Sequence, residues 1–327
     1  PEDEAGVILS GHTDVVPVDG QNWSADPFTP WIKEERLYGR GSADMKGFLG
    51  TVLSFVPEMV RRSLNLPIHL ALSFDEEVGC TGVLSMIEYI LAMKIRPGLC
   101  IVGEPTSMKV VDSHKGLKTH RTRVCGRSAH SSAPELGANA IMAAARLVGF
   151  IETLSKRAIE EGPVDNRFMP PYTTFNVGQI SGGNAVNIIA ESAEFDWEFR
   201  PVPGFDSKRV LEDFKEFARG KVLEGLRRTA PEASIDTEEL TNVPPLVRPM
   251  DETAETLIKR LARANATGTV SYATEAGHFQ KTAEIPTYVC GPGDIAQAHK
   301  PDEYISLKEL SACAAFLQRL LDYASES

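Results

Sequence analysis

The chain has 327 residues and a formal net charge of −11, from 34 Lys and Arg against 45 Asp and Glu. Hydrophobic residues make up 42 % and charged residues 24 %, the profile of a folded globular protein rather than a disordered one. No Lys/Arg run exceeds a pair, which argues against a nucleic-acid binder, and the longest apolar stretches, 68–74 and 141–151, are too short to span a bilayer.

In chain order, residues 5–12 read as a buried strand that begins almost at once, so the chain is expected to lack its natural start. A helix over 45–59, a strand over 67–74, a helix over 81–93 and strands over 99–102 and 109–113 follow, the alternation of an open α/β sheet. After His114 the texture changes. Side-chain type alternates over 117–124, a long helix fits 137–159, alternating strands fit 173–180 and 191–199, and a helix over 207–226 precedes a strand over 233–240. That β-α-β-β-α-β order is ferredoxin-like. Helix-strand texture returns after the linker Asn242-Val243-Pro244-Pro245, over 253–264, 286–291 and 307–324. The expectation is an α/β catalytic domain in two parts, residues 1–114 and 244–327, around an inserted α+β domain at 115–243.

Five scattered cysteines without a C-x-x-C argue against a disulfide framework or structural zinc and suggest reduced, buried thiols in a cytoplasmic protein. Chemistry-bearing residues cluster instead at predicted strand ends. Ser10-Gly11-His12-Thr13-Asp14 offers a metal ligand with a supporting carboxylate, or a turn histidine beside a solvated acid. Asp44, in Gly41-Ser42-Ala43-Asp44-Met45-Lys46-Gly47, suits a helix N-cap or a carboxylate bridging two metals. Asp75-Glu76-Glu77 places three acids directly after a buried strand, where repulsion raises at least one pKa unless cations neutralise them. Glu104 ends another strand, and His299 lies in Ala298-His299-Lys300-Pro301-Asp302-Glu303. Two histidines and three carboxylates from several strand ends suit a dinuclear zinc or cobalt centre about 3.5–4 Å across.

Taken together, G-H-T-D-V-V-P, G-R-G-S-A-D-M-K-G, D-E-E-V-G-C, G-E-P-T, G-R-S-A-H-S-S-A-P and A-H-K-P-D-E resemble, in order and over nearly the whole chain, the co-catalytic dizinc aminoacylase and carboxypeptidase family. The resemblance implies that Asp44 bridges two zinc ions (cobalt being an alternative), with His12 and Glu104 completing one site and Glu77 and His299 the other. It implies Glu76 as general base, Asp14 as the group orienting His12, and a cis Asp44–Met45 peptide. His130 in the insert corresponds to a histidine that reaches across a homodimer to the oxyanion, and Arg200 and Asn187 to groups holding the substrate carboxylate. Within the family, Ser113-His114-Lys115-Gly116 and Thr274-Glu275-Ala276-Gly277 are most similar to the acetylornithine deacetylases, with Glu275 facing either a substrate ammonium or a structural role. Lys115 and Lys118 read as solvated charges at the domain junction. The implied activity is hydrolysis of a small-molecule N-acyl amino acid, N-acetyl-L-ornithine first, in arginine biosynthesis, without nucleic-acid or membrane partners. Desuccinylases, other aminoacylases or carboxypeptidases, and a non-catalytic binding relative are the alternatives.

Overall fold

The computed structural model describes residues 6–94 and 96–326. These fall into two compact units, one holding the chain up to His114 and from Leu246 onward, the other Lys115–Pro245. In the first unit the chain runs through β1 (Val7–His12), β2 (Trp31–Lys33), β3 (Arg36–Tyr38), α1 (Gly47–Arg61), β4 (Ile68–Ser73), α2 (Gly82–Ala92), β5 (Leu99–Pro105) and β6 (Val111–His114). The second unit contributes β7 (Leu117–Cys125), α3 (Ala140–Glu160), β8 (Thr174–Gly182), β9 (Ser192–Arg200), α4 (Ser207–Phe217), α5 (Glu224–Arg227) and β10 (Ser234–Val243). The chain then returns to the first unit with α6 (Glu252–Ala262), β11 (Gly268–Val270), α7 (Ala276–Ala283), β12 (Thr287–Gly291), β13 (Tyr304–Ser306) and α8 (Leu307–Glu326).

The first unit is built on a six-stranded mixed sheet in the order β11-β6-β12-β5-β1-β4. Strands β4, β1, β5 and β12 run parallel, and β6 is antiparallel to β12. Every residue of β1 and β5 is buried, as apolar central strands covered on both faces require. Phe48, Leu49 and Val52 of α1 and Cys313, Phe316, Leu317 and Leu320 of α8 repeat every three or four residues, so each helix turns one apolar stripe into the same core as Val7, Leu9 and Ile101. Pairing of His12 with Ser73 aligns the carboxyl ends of β1 and β4. A small sheet, β13-β3-β2, carries the chain after His299 back against residues 36–38.

The second unit is an antiparallel sheet, β10-β7-β9-β8, with the expected β-α-β-β-α-β order. Alternation along β9 sends Ala193, Phe195, Trp197 and Phe199 inward, where they meet Leu147 and Ile151 of α3 and Val210 and Phe214 of α4. Three expectations are corrected here. Residues 31–33, 36–38 and 304–306 form strands that were not anticipated, because three residues carry no readable period. The helix expected over 207–226 runs without a break from Ser207 to Arg227, with a wider π-helical turn at Ala218–Leu223 joining α4 to α5. Lys115 is buried and its Nζ donates to the Tyr172 carbonyl at 2.7 Å, so it is not a solvated charge. Cys125 is exposed, whereas the other four thiols are buried.

His120 of β7 is 2 % exposed and stacks on Trp197 at 4.7 Å. Burial pushes it down to about 4, against the attraction of Glu239 and with Lys118 and Lys215 adding to the drop. The unfolded imidazole, near 6.5, takes up a proton that the folded one refuses, so stability present above 6.5 is lost as pH falls toward about 4. Urea unfolding followed by tryptophan fluorescence is therefore expected to weaken between pH 7 and 4.5 more for the wild type than for His120→Phe. Parallel curves for the two proteins would contradict this.

Candidate metal centre

Four segments deliver acids and imidazoles to the carboxyl ends of the parallel strands. His12 is the last residue of β1, Glu76 and Glu77 follow β4, Glu104 lies near the end of β5, and His299 sits in the loop after β12. Asp44 comes from the irregular turn before α1, across a cis Asp44–Met45 peptide. Its two oxygens face different imidazoles: Oδ1 lies 3.0 Å from His12 Nε2, and Oδ2 lies 3.2 Å from His299 Nε2. Glu77 Oε2 lies 3.1 Å from the same His299 nitrogen, and Glu104 Oε1 lies 3.8 Å from His12 Nε2. Donor atoms of His12, Asp44 and Glu77 fall within 4.8 Å of one another, as do those of His12, Glu76 and Glu104.

The surroundings hold these groups in place. The Asp14 carbonyl lies 3.0 Å from His12 Nδ1 and its carboxylate 3.4 Å away, while Asp14 Oδ2 accepts from the Glu77 amide at 3.1 Å. Asp14 thus ties His12 to the acidic turn. The Cys80 thiol donates to Glu76 Oε1 at 3.2 Å, an orienting contact that sequence reading missed although Cys80 stands in the same motif. A side chain at Gly103 would strike the Phe48 ring, and one at Gly291 the Gly103 carbonyl, so glycine is what allows β5 and β12 to close beneath Glu104. Glu275 is 1 % exposed, with Oε1 accepting from Ser10 at 2.5 Å and Oε2 from Ser73 at 2.6 Å. Both oxygens are engaged by the ends of β1 and β4, so of the two roles expected for Glu275 these contacts fit the structural one, tying the two strands together near His12.

The electrostatics call for cations. Burial opposes a charge on His12, yet the hydrogen bond to Asp44 and the charges of Glu104 and Glu76 lift it to about 11. Hydrogen bonds to Asp44 and Glu77 lift His299 to about 10. Burial raises Glu76 to about 8 and Glu104 well above the usual carboxylate range. Asp44 is held below its ordinary value despite burial, by hydrogen bonds from both histidines. Glu104 Oε1 and Asp14 Oδ1 are buried without a hydrogen-bond partner among the described residues. Mixed imidazole and carboxylate donors, orphaned carboxylate oxygens and protons held where positive charge is wanted fit a divalent metal centre.

The remaining expected residues belong to the second unit. His130 is exposed, its Nδ1 lying 2.7 Å from Ser132 Oγ, and the Asn187 carbonyl accepts from the Ser131 amide at 2.9 Å, so these two segments are neighbours. Arg200 Nε donates to Glu198 at 2.9 Å. Among the described residues no helix is long and apolar enough to cross a membrane.

Residues 8–323 match peptidase family M20/M25/M40. The chain is 35 % identical to the acetylornithine deacetylase of Photorhabdus laumondii, covering 97 % of this chain and 80 % of that one. It is also 35 % identical to the acetylornithine deacetylase of Edwardsiella ictaluri, over 98 % of this chain and 81 % of the other. Its fold is similar to an M20 family metallo-carboxypeptidase from Sulfolobus solfataricus, with a TM-score of 0.73 and 19 % identity over 99 % of this chain and 86 % of that one. Human carnosine dipeptidase 1 shares the fold with a TM-score of 0.72 and 15 % identity, over 100 % and 82 % of the two chains.

Imidazoles bind metal only when neutral, so His12 and His299 must give up protons at pH 7 on metal uptake. Titration calorimetry in buffers of different ionisation heat is expected to show net proton release on metal loading, with affinity rising as pH is raised. Binding at pH 7 without proton release would show that the histidines are not held in this way.

Proposed function

The chain belongs to peptidase family M20/M25/M40, and from that premise we propose that it hydrolyses the amide of N-acyl amino acids, N-acetyl-L-ornithine above all, yielding L-ornithine and acetate for arginine biosynthesis. The observation that carries this is Asp44, whose two oxygens face two histidines from opposite ends of the chain within a wall of further carboxylates. Support for the acetylornithine substrate comes from 35 % identity to proteins of that activity over nearly the whole chain.

Asp44 would be shared between two zinc ions, His12 and Glu104 would hold one and Glu77 and His299 the other, and cobalt would be able to replace zinc. Such ions would supply Lewis acidity to the substrate carbonyl and the attacking water. Glu76, next to the donors and held by Cys80 on one oxygen, takes the proton of that water and returns it to the leaving nitrogen. A carboxylate raised toward neutrality by burial is matched to both halves of that transfer. Asp14 keeps His12 in one tautomer and orientation. His130, contributed across a homodimer through the inserted domain at 115–243, steadies the oxyanion, and Arg200 and Asn187 hold the substrate carboxylate. The enzyme works in the cytoplasm.

Hydrolysis assayed with N-acetylornithine, N-succinyl-diaminopimelate and N-acetylmethionine is expected to favour the first, and preference for either of the others would overturn the substrate assignment. Chelation is expected to abolish activity, and added zinc or cobalt to restore it. Glu76→Ala is expected to keep its metal and lose about 10²–10⁴-fold in kcat. Near-normal turnover in that variant would remove Glu76 from the mechanism.

A further inference from the structure

Building on the metal centre proposed above, we propose that the buried Arg40–Glu303 pair is a positioning clamp that sets the gap between Asp44 and His299 and so governs uptake of the ion these two share with Glu77. Both side chains are 1 % exposed, and Arg40 Nη1 donates to Glu303 Oε2 at 2.7 Å. The rest of the Glu303 carboxylate grips the turn that carries Asp44. Oε2 accepts from the Gly41 amide at 3.0 Å, and Oε1 accepts from the amides of Ala43 at 2.9 Å and Asp44 at 3.1 Å.

Arg40 grips the other side. Its Nη1 also donates to the Lys300 carbonyl at 3.3 Å, and its Nη2 to Gln21 Oε1 at 2.6 Å. Gln21 in turn donates through Nε2 to the His299 carbonyl at 3.3 Å and accepts from the Trp23 indole at 3.1 Å. The guanidinium lies over the Trp23 ring, 5.0 Å from its centroid. His299 itself has a left-handed φ of 62°, a conformation that a histidine keeps only when its neighbours impose it.

One hydrogen-bonded unit therefore holds the backbone nitrogen of one donor and the backbone carbonyl of the other. An ion pair serving only the fold has no need of either contact. Selectivity follows from the strands: His12 and Glu104 belong to β1 and β5 and are fixed by the central sheet, whereas His299 stands in a loop that depends on the clamp. Loosening the clamp should cost the His299 and Glu77 side far more than the His12 and Glu104 side.

The test is titration of the metal-stripped full chain with Co²⁺, followed by calorimetry and by the visible cobalt spectrum, in wild type, Glu303→Gln and Arg40→Lys, each first checked for folding by circular dichroism. The wild type is expected to take two equivalents. In both variants the second equivalent is expected to weaken about 10- to 100-fold, the range for groups that orient metal ligands, while the first equivalent keeps its affinity and spectrum. Glu303→Gln, which retains an oxygen for the amides, is expected to be milder than Glu303→Ala. Variants that bind both equivalents like wild type, or lose both alike, overturn the clamp while leaving the hydrolase assignment standing. A wild type that hydrolyses substrate but binds one equivalent overturns the two-metal reading and the clamp with it. Failure of both Glu303→Gln and Arg40→Lys to fold would make the pair purely structural and overturn the clamp as well.

Discussion

Repulsion among buried carboxylates is the constraint around which the first unit is arranged. Asp44, Glu76, Glu77 and Glu104 lie close to two imidazoles at one end of a sheet whose central strands are otherwise fully apolar. Several negative charges out of water are tolerable only if positive charge sits among them. Protons on His12 and His299 supply it, and a metal ion supplies it better, with no hydrogen needed between donor atoms. The fold thus stores a demand for cations at the carboxyl ends of its central strands.

Meeting that demand needs rigid supports, and they come in two kinds. His12 and Glu104 ride on strands, so the apolar core made by Phe48, Ile101, Phe316 and Leu317 positions them indirectly. Where the strands end, hydrogen bonds take over. Glu275 is shared by Ser10 and Ser73 on adjacent parallel strands, and Asp14 joins the His12 imidazole to the acidic turn. The Arg40–Glu303 pair is buried as well. A buried pair of this kind offsets its desolvation only when its remaining hydrogen-bonding capacity is used, and three backbone amides use that of Glu303.

Much of this was legible along the chain. Alternation in β9 and the stripes of α3 and α8 follow from periods of two and 3.6 residues, so the ferredoxin-like unit and the α/β unit around it could be read in order. The candidate donors were legible for a different reason: an acid or histidine at the end of an apolar strand has no packing role, and His12, Glu77 and Glu104 stand at or just past such ends. The three-residue strands were not legible, since their pairing is decided by distant segments. The role of Glu275 stayed open along the chain because its partners, Ser10 and Ser73, lie 265 and 202 positions away, and their hydroxyls are ordinary strand residues until the strands align. Lys115 looked solvated because charge is the local signal and burial is not.

The amino-acid order by itself determined the longer elements, the family and the candidate donor residues, because periodicity and short motifs act over a few positions. Tertiary structure alone decided which atoms of those residues meet. That Asp44 turns one oxygen to His12 and the other to His299 depends on a turn held by Glu303, more than 250 positions away in sequence. Such contacts depend on strand register and loop closure across the whole unit, and no local pattern encodes them.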